Sequence, residues 1–134
     1  MSLVPATACP CGRTDARGKP LVYGACCGRY LEHDTPAPDA ESLMRSRYSA
    51  FVLGRVDDLN ASWHASTRPA SLTLEPGVTW LGLDVKCHRV IDADHAEVEF
   101  VARSRIGGRG QRLHETSRFV REDGRWFYVD GDLK

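Results

Sequence analysis

No stretch of this chain approaches the roughly 20 consecutive apolar residues that a membrane-spanning helix needs. Its N-terminus, MSLVPATACPCGR, lacks the basic n-region and long apolar core of a secretion signal, so a cytoplasmic, reducing location is expected. Excess charge is missing too: 18 Lys and Arg offset 18 Asp and Glu. That balance argues against a nucleic-acid binder driven by bulk charge and leaves only local basic patches. Internal repeats and low-complexity tracts are absent. What remains, 134 residues with 42% hydrophobic and 27% charged side chains, suits one ordinary globular domain with a small appendage.

Residues 1–38 show no sustained period and are rich in Cys, Gly, Pro and Ala. The first periodic segment follows. Leu43, Met44, Arg47, Tyr48, Phe51 and Val52 recur at three- and four-residue spacing, which predicts a helix over 39–53, capped by Asp39 and stopped by Gly54. Arg47 falls inside its apolar stripe and must be paired there or line a cavity. A shorter helix is expected from Val56 to about His64. Pro69, Pro76 and Gly77 make 67–79 a loop. From Thr79 the period becomes two. Leu81, Leu83, Val85 and Cys87 share one face of a strand, which makes Cys87 a core residue. Further strands are expected at 96–106, 111–121 and 125–130, separated by Asp92-Ala93-Asp94, by Gly107-Gly108 and by Asp123-Gly124. Helices followed by an antiparallel four-stranded meander give an α+β fold with the sheet wrapped over the long helix.

Cys9-Pro10-Cys11-Gly12 and Cys26-Cys27-Gly28 carry the strongest chemistry. Two close thiol pairs supply the four soft ligands of a tetrahedral zinc site, and the flanking glycines let the backbone bend so that the sulfurs converge. The alternatives are buried free thiols or disulfides; a Cys26–Cys27 bridge would be strained, and a reducing compartment opposes it. A closed four-thiolate Zn²⁺ site is structural, since no position is left for water. Two net negative charges would remain, for Arg13, Lys19 and Arg29 to offset.

The pattern CPCG…CCG resembles the SEC-C motif, named from the C-terminus of the SecA translocation ATPase, although the interval between the pairs is longer here. In SecA that motif docks on SecB and the ribosome, so the resemblance implies an adaptor role for protein or nucleic-acid contact without specifying the partner. A second resemblance covers nearly the whole chain. Ser42-Leu43-Met44-Arg45-Ser46-Arg47-Tyr48-Ser49-Ala50-Phe51, Trp63-His64, Trp80-Leu81-Gly82-Leu83, Glu115-x-Ser117-x-Phe119 and Gly124-x-Trp126-x-Tyr128-x-Asp130-Gly131 resemble the YchJ family of small bacterial proteins. That likeness implies a zinc knuckle at 1–34 and a cone-shaped nuclear-transport-factor-2-like (cystatin-like) domain at 35–134. It implies no activity for any residue.

Leu113, Glu115, Ser117 and Phe119 share the bulkier face of their strand and are taken as inward. Glu115 is therefore the expected partner of Arg47, either as an ion pair fixing helix to sheet or as the polar floor of a pocket that Tyr48, Trp63 and Ser117 also touch. His64 is expected to cap carbonyls or meet solvent, and His88 and His95 to be exposed. The arginines at 103, 105, 109, 112, 118, 121 and 125 gather around the meander turns as a solvated surface or a weak nucleic-acid patch. Three functions compete: an adaptor using the knuckle, an enzyme of hydratase or isomerase type using the cone, and a metal store. Open meander faces also allow a homodimer.

Overall fold

The computed structural model describes residues 4–134. A 3₁₀ turn at Tyr23–Ala25 leads into α1 (Gly28–Leu31), then α2 (Ala40–Leu53), α3 (Val56–Ala61) and strands β1 (Val78–Asp92), β2 (His95–Ile106), β3 (Arg109–Glu122) and β4 (Arg125–Leu133). Helix α2 begins and ends where its sequence dictates. The Asp39 carboxylate accepts the Ser42 N–H at 2.7 Å, and Gly54 adopts φ 72°, ψ 30°, returning its N–H to the last turn. Helix α3 is shorter than its periodicity suggests. Ser62 and His64 give their backbone groups to β4 instead: Tyr128 N–H donates to Ser62 O at 2.8 Å and His64 N–H to Tyr128 O at 2.7 Å.

The four strands form one antiparallel sheet in the order β1-β2-β3-β4. Two-residue loops join β2 to β3 and β3 to β4. Gly107-Gly108 and Asp123-Gly124 take positive φ at both positions (56° and 79°, 53° and 77°), the twist that matches flanking strands. Strand β1 departs from simple alternation. Register shifts at Leu81, Lys86 and Ile91 each place two β1 residues against one on β2 and exchange the faces. Trp80, Leu83 and Val85 consequently pack inward, while Leu81 is 49% exposed and Cys87 also faces solvent. The expected core role of Cys87 is thus corrected. His88 turns inward, its Nδ1 3.9 Å from Glu41 Oε1, and His95 is exposed as expected.

Helix α2 lies between two layers. Met44 and Tyr48 face the sheet, where Tyr48 meets Trp80 edge-on at 5.5 Å between ring centroids. The opposite face presents Ser42, Arg45 and Ser49 to the cysteine segment. One continuous hydrophobic core therefore runs from Cys9, Cys11, Cys26 and Cys27 through Leu43 and Met44 to Val98, Phe100 and Phe119. Residues 28–32 close the other side: the Tyr23 hydroxyl, on a ring only 1% exposed, donates to Glu32, which also binds Arg55 at the start of α3.

Gly28 is fixed by this packing, because a Cβ there would stand 2.7 Å from the Tyr23 carbonyl oxygen. Gly28→Ala is expected to cost about 1–3 kcal/mol in denaturant unfolding. Gly110→Ala, where a Cβ meets nothing within 4 Å, should stay within about 0.5 kcal/mol of the parent. Equal effects would show that the contact is not constraining.

Candidate metal centre and cone cavity

Two local devices bring the four thiols together. Gly12, at φ 75°, donates its N–H to Cys9 O at 3.1 Å and closes the tight turn that points Cys9 and Cys11 the same way. An Ala8–Val22 bridge and the Cys9 N–H to Leu21 O bond at 2.9 Å then carry the chain back beside that turn. The 3₁₀ turn delivers Cys26, whose N–H donates to Tyr23 O at 3.0 Å, and Cys27 caps α1. The result is four cysteine sulfurs within 4.8 Å of one another, none more than 6% exposed, and all four free of disulfides. Cys11 Sγ and Cys26 Sγ lie 3.6 Å apart, against an edge of about 3.8 Å for a tetrahedron with metal–sulfur bonds of about 2.3 Å.

Four sulfurs this close can hold a metal ion. They cannot all ionise against one another's charge unaided. Cys11 draws Cys26 down to about 7 and also pulls Cys9 down, while hydrogen bonding and crowding push Cys11 and Cys27 up. A divalent cation held there would resolve that conflict by stabilising every thiolate at once. Positive charge is set close by. Arg45 donates through Nη1 to Cys11 O at 3.1 Å while its Nε binds Glu41 at 2.8 Å, and Arg29 Nε donates to Cys26 O at 3.1 Å. Arg29 was expected here. Arg45 was not, because only the docking of the knuckle on α2 reveals it. Arg13 points instead to Ser42 Oγ at 3.0 Å.

Between α2 and the sheet lies a cavity of about 240 Å³. All five residues nominated from the sequence, Arg47, Tyr48, Trp63, Glu115 and Ser117, line it; Phe51, Trp80 and Tyr128 were missed. Trp80 was hidden by the Leu81 bulge, whereas Tyr128 could have been found from the alternation Trp126-x-Tyr128. The cavity lining contains no histidine among the described residues. His64 sits outside it, with Nε2 2.5 Å from Glu122 and Nδ1 2.6 Å from Ser66 Oγ.

Arg47 and Glu115 share the cavity, but the expected ion pair is not formed. Among the described residues no carboxylate reaches the Arg47 guanidinium. Nη1 donates to Leu59 O at 2.9 Å and Ser62 Oγ at 2.6 Å, and the guanidinium carbon lies 4.6 Å from the Tyr128 ring centroid and 5.2 Å from that of Trp63. Neutral acceptors and two aromatic rings stand where the carboxylate was expected. Burial pushes Arg47 down to about 10, against the attraction of Tyr128 and Glu115, so it stays charged at neutral pH. Glu115 Oε2 is taken up by the Ser117 hydroxyl and, at 3.4 Å, by the Tyr128 hydroxyl. Burial first, and then Glu115, push Tyr128 up to about 12.

Of the arginines around the meander turns, three are tied to carboxylates. Arg118 binds Asp130 and Asp132, Arg121 binds Asp94 at 3.3 Å, and Arg125 binds Asp34 at 3.3 Å. This leaves less free positive charge there than the sequence suggested.

The family model described as "YchJ, middle NTF2-like domain" matches residues 39–131. A UPF0225 protein of Polaromonas naphthalenivorans is 67% identical over 132 residues, spanning 94% of this chain and 97% of its own. A second, from Bordetella pertussis, is 55% identical over 131 residues, with 94% and 92% covered. Among solved structures, the solution structure of a SEC-C motif containing protein from Rhodopseudomonas palustris matches with TM-score 0.80 at 31% identity, over 96% of this chain and 99% of that one. The crystal structure of a SEC-C motif containing protein from Psychrobacter arcticus matches with TM-score 0.80 at 29% identity, over 97% and 84%. The NTF2-like fold and the SEC-C resemblance both follow from these matches.

Sharing a cavity and Tyr128 but making no direct contact, Arg47 and Glu115 should be coupled only modestly in stability. A double-mutant cycle of Arg47→Met and Glu115→Gln in urea is expected to give a coupling of about 0.5–1 kcal/mol. A coupling above about 2 kcal/mol would restore the ion pair.

Proposed function

The chain belongs to the YchJ family, and from that footing we propose that it is a zinc-binding adaptor protein of the cytoplasm. Cys9, Cys11, Cys26 and Cys27 hold one Zn²⁺, residues 1–34 form the contact module, and residues 35–134 form its NTF2-like mount. The convergence of four buried sulfurs within 4.8 Å carries this reading. Four thiolates fill the coordination shell, so the ion shapes the knuckle and activates no water. The SEC-C name borne by the two structural neighbours supports the same assignment.

The knuckle offers its partner a small hairpin. Thr14 bridges Pro20, and the Asp15 carboxylate accepts the N–H groups of Arg17 at 2.8 Å and Lys19 at 3.0 Å, which holds the tip in shape. Every residue from Asp15 to Pro20 is exposed. Arg17 and Lys19 give this tip a positive character that fits an acidic protein surface. Nucleic acid and a second copy of the chain are the competing partners.

X-ray absorption at the zinc edge is expected to find one zinc per chain with four sulfurs at about 2.3 Å; oxygen ligands, or four oxidised cysteines, would contradict the metal reading. For the adaptor reading, Arg17→Glu with Lys19→Glu should leave metal content unchanged and abolish partner capture in cross-linking. Partners that all survive this charge reversal would refute it.

A further inference from the structure

The cavity beneath α2 contains a cation that the protein has not finished satisfying. Arg47 is only 7% exposed, and a guanidinium carries five N–H donors. Both donors on Nη1 are used, on Leu59 O and Ser62 Oγ. Those on Nε and Nη2 have no partner among the described residues, and neither nitrogen is fully sealed off. The Nε–Nη2 edge is one of the forks with which arginine takes a carboxylate side-on. It cannot swing away to find one. Its Nη1 anchors and the flanking Tyr128 and Trp63 rings fix its position.

The opposite pole of the cavity is Glu115. Its Oε2 takes the Ser117 and Tyr128 hydroxyls, and Oε1 is left to accept. The Tyr128 side chain touches both poles: its ring lies 4.6 Å from the Arg47 guanidinium carbon and its hydroxyl 3.4 Å from Glu115. A ligand that reaches from Arg47 to Glu115 would therefore run alongside the Tyr128 side chain. The walls of the cavity are largely aromatic, from Tyr48, Phe51, Trp80 and Phe100. At about 240 Å³ the space lies below the roughly 300–1,000 Å³ of sites for drug-sized ligands.

We propose that this cavity binds a single-ring hydroxy-carboxylic acid, its carboxylate on the Nε–Nη2 edge of Arg47 and its hydroxyl donating to Glu115. The charge arrangement selects for both groups. A simple carboxylate satisfies Arg47 but leaves Glu115 Oε1 without a donor. A neutral phenol satisfies Glu115 but leaves the arginine donors unmet, and sites built for a polar group reject analogues that lack it. This site is independent of the knuckle and of the adaptor reading.

The probes are 4-hydroxybenzoate, benzoate and 4-hydroxybenzamide, titrated into the intact metal-loaded protein and followed by the indole N–H resonances of Trp63 and Trp80. 4-Hydroxybenzoate should move both indoles and bind at least tenfold more tightly than either analogue. Arg47→Met should abolish its binding, and Glu115→Gln should narrow its advantage over benzoate. If Arg47→Met fails to fold, the comparison of acid with amide on the unaltered protein still decides. An amide that binds as well as the acid would overturn the proposal, as would shifts that avoid both indoles or the absence of any response at millimolar 4-hydroxybenzoate.

Discussion

The docking of the four-cysteine knuckle onto α2 is the constraint on which the rest depends. Ser42, Arg45 and Ser49 lie one or two turns apart and take, in order, the Arg13 guanidinium, the Cys11 carbonyl and the Cys9 sulfur. Small hydroxylated side chains let the knuckle approach the helix closely, and the single arginine in the row supplies charge beside the sulfurs. Because that face is covered, α2 is buried on nearly every side. It cannot behave as an ordinary amphipathic surface helix. Its remaining faces are specialised accordingly, with Met44 and Tyr48 turned to the sheet and Leu43 and Ala50 turned toward α1 and α3.

That arrangement explains how a buried arginine is tolerated. Isolated charge in an apolar interior is costly, and burial already draws Arg47 below its usual range. Two hydrogen bonds, to Leu59 of α3 and to Ser62 just after it, together with two aromatic rings, offset part of the cost without a counterion among the described residues. Each partner belongs to a segment that α2 positions. The chain between α3 and β1 returns through Ser62, Trp63 and His64 to pair with β4, which brings Trp63 and Tyr128 against the guanidinium. The cavity follows from this packing. It persists where the aromatic walls meet two polar groups that do not meet each other.

Much of this was legible in the residue order. The caps of α2, the hairpin turns, the inward face of β3 and the four cysteines are all local signals, and each local signal agrees with the final fold. The five pocket residues were found because Arg47 violates its own stripe and Glu115 its own strand face. The failures on β1 share one cause. A bulge changes which face a residue occupies without changing composition, so Leu81 and Cys87 were assigned inward and Trp80 was overlooked. Likewise, alternation put Arg47 and Glu115 in one cavity but could not say that Tyr128 would stand between them. The role of Arg45 was invisible because it depends on residues 34 positions away.

If the knuckle holds zinc as proposed and shares one core with the cone, metal and fold must be lost together. The direct measurement is a guanidinium titration that follows tryptophan emission, which reports on Trp63, Trp80 and Trp126, alongside zinc release to a chromogenic chelator. A shared core predicts that both signals fall in a single transition with one midpoint. Zinc leaving at low denaturant while the tryptophan signal stays native would contradict it, because the knuckle would then be an appendage and α2 would not need it.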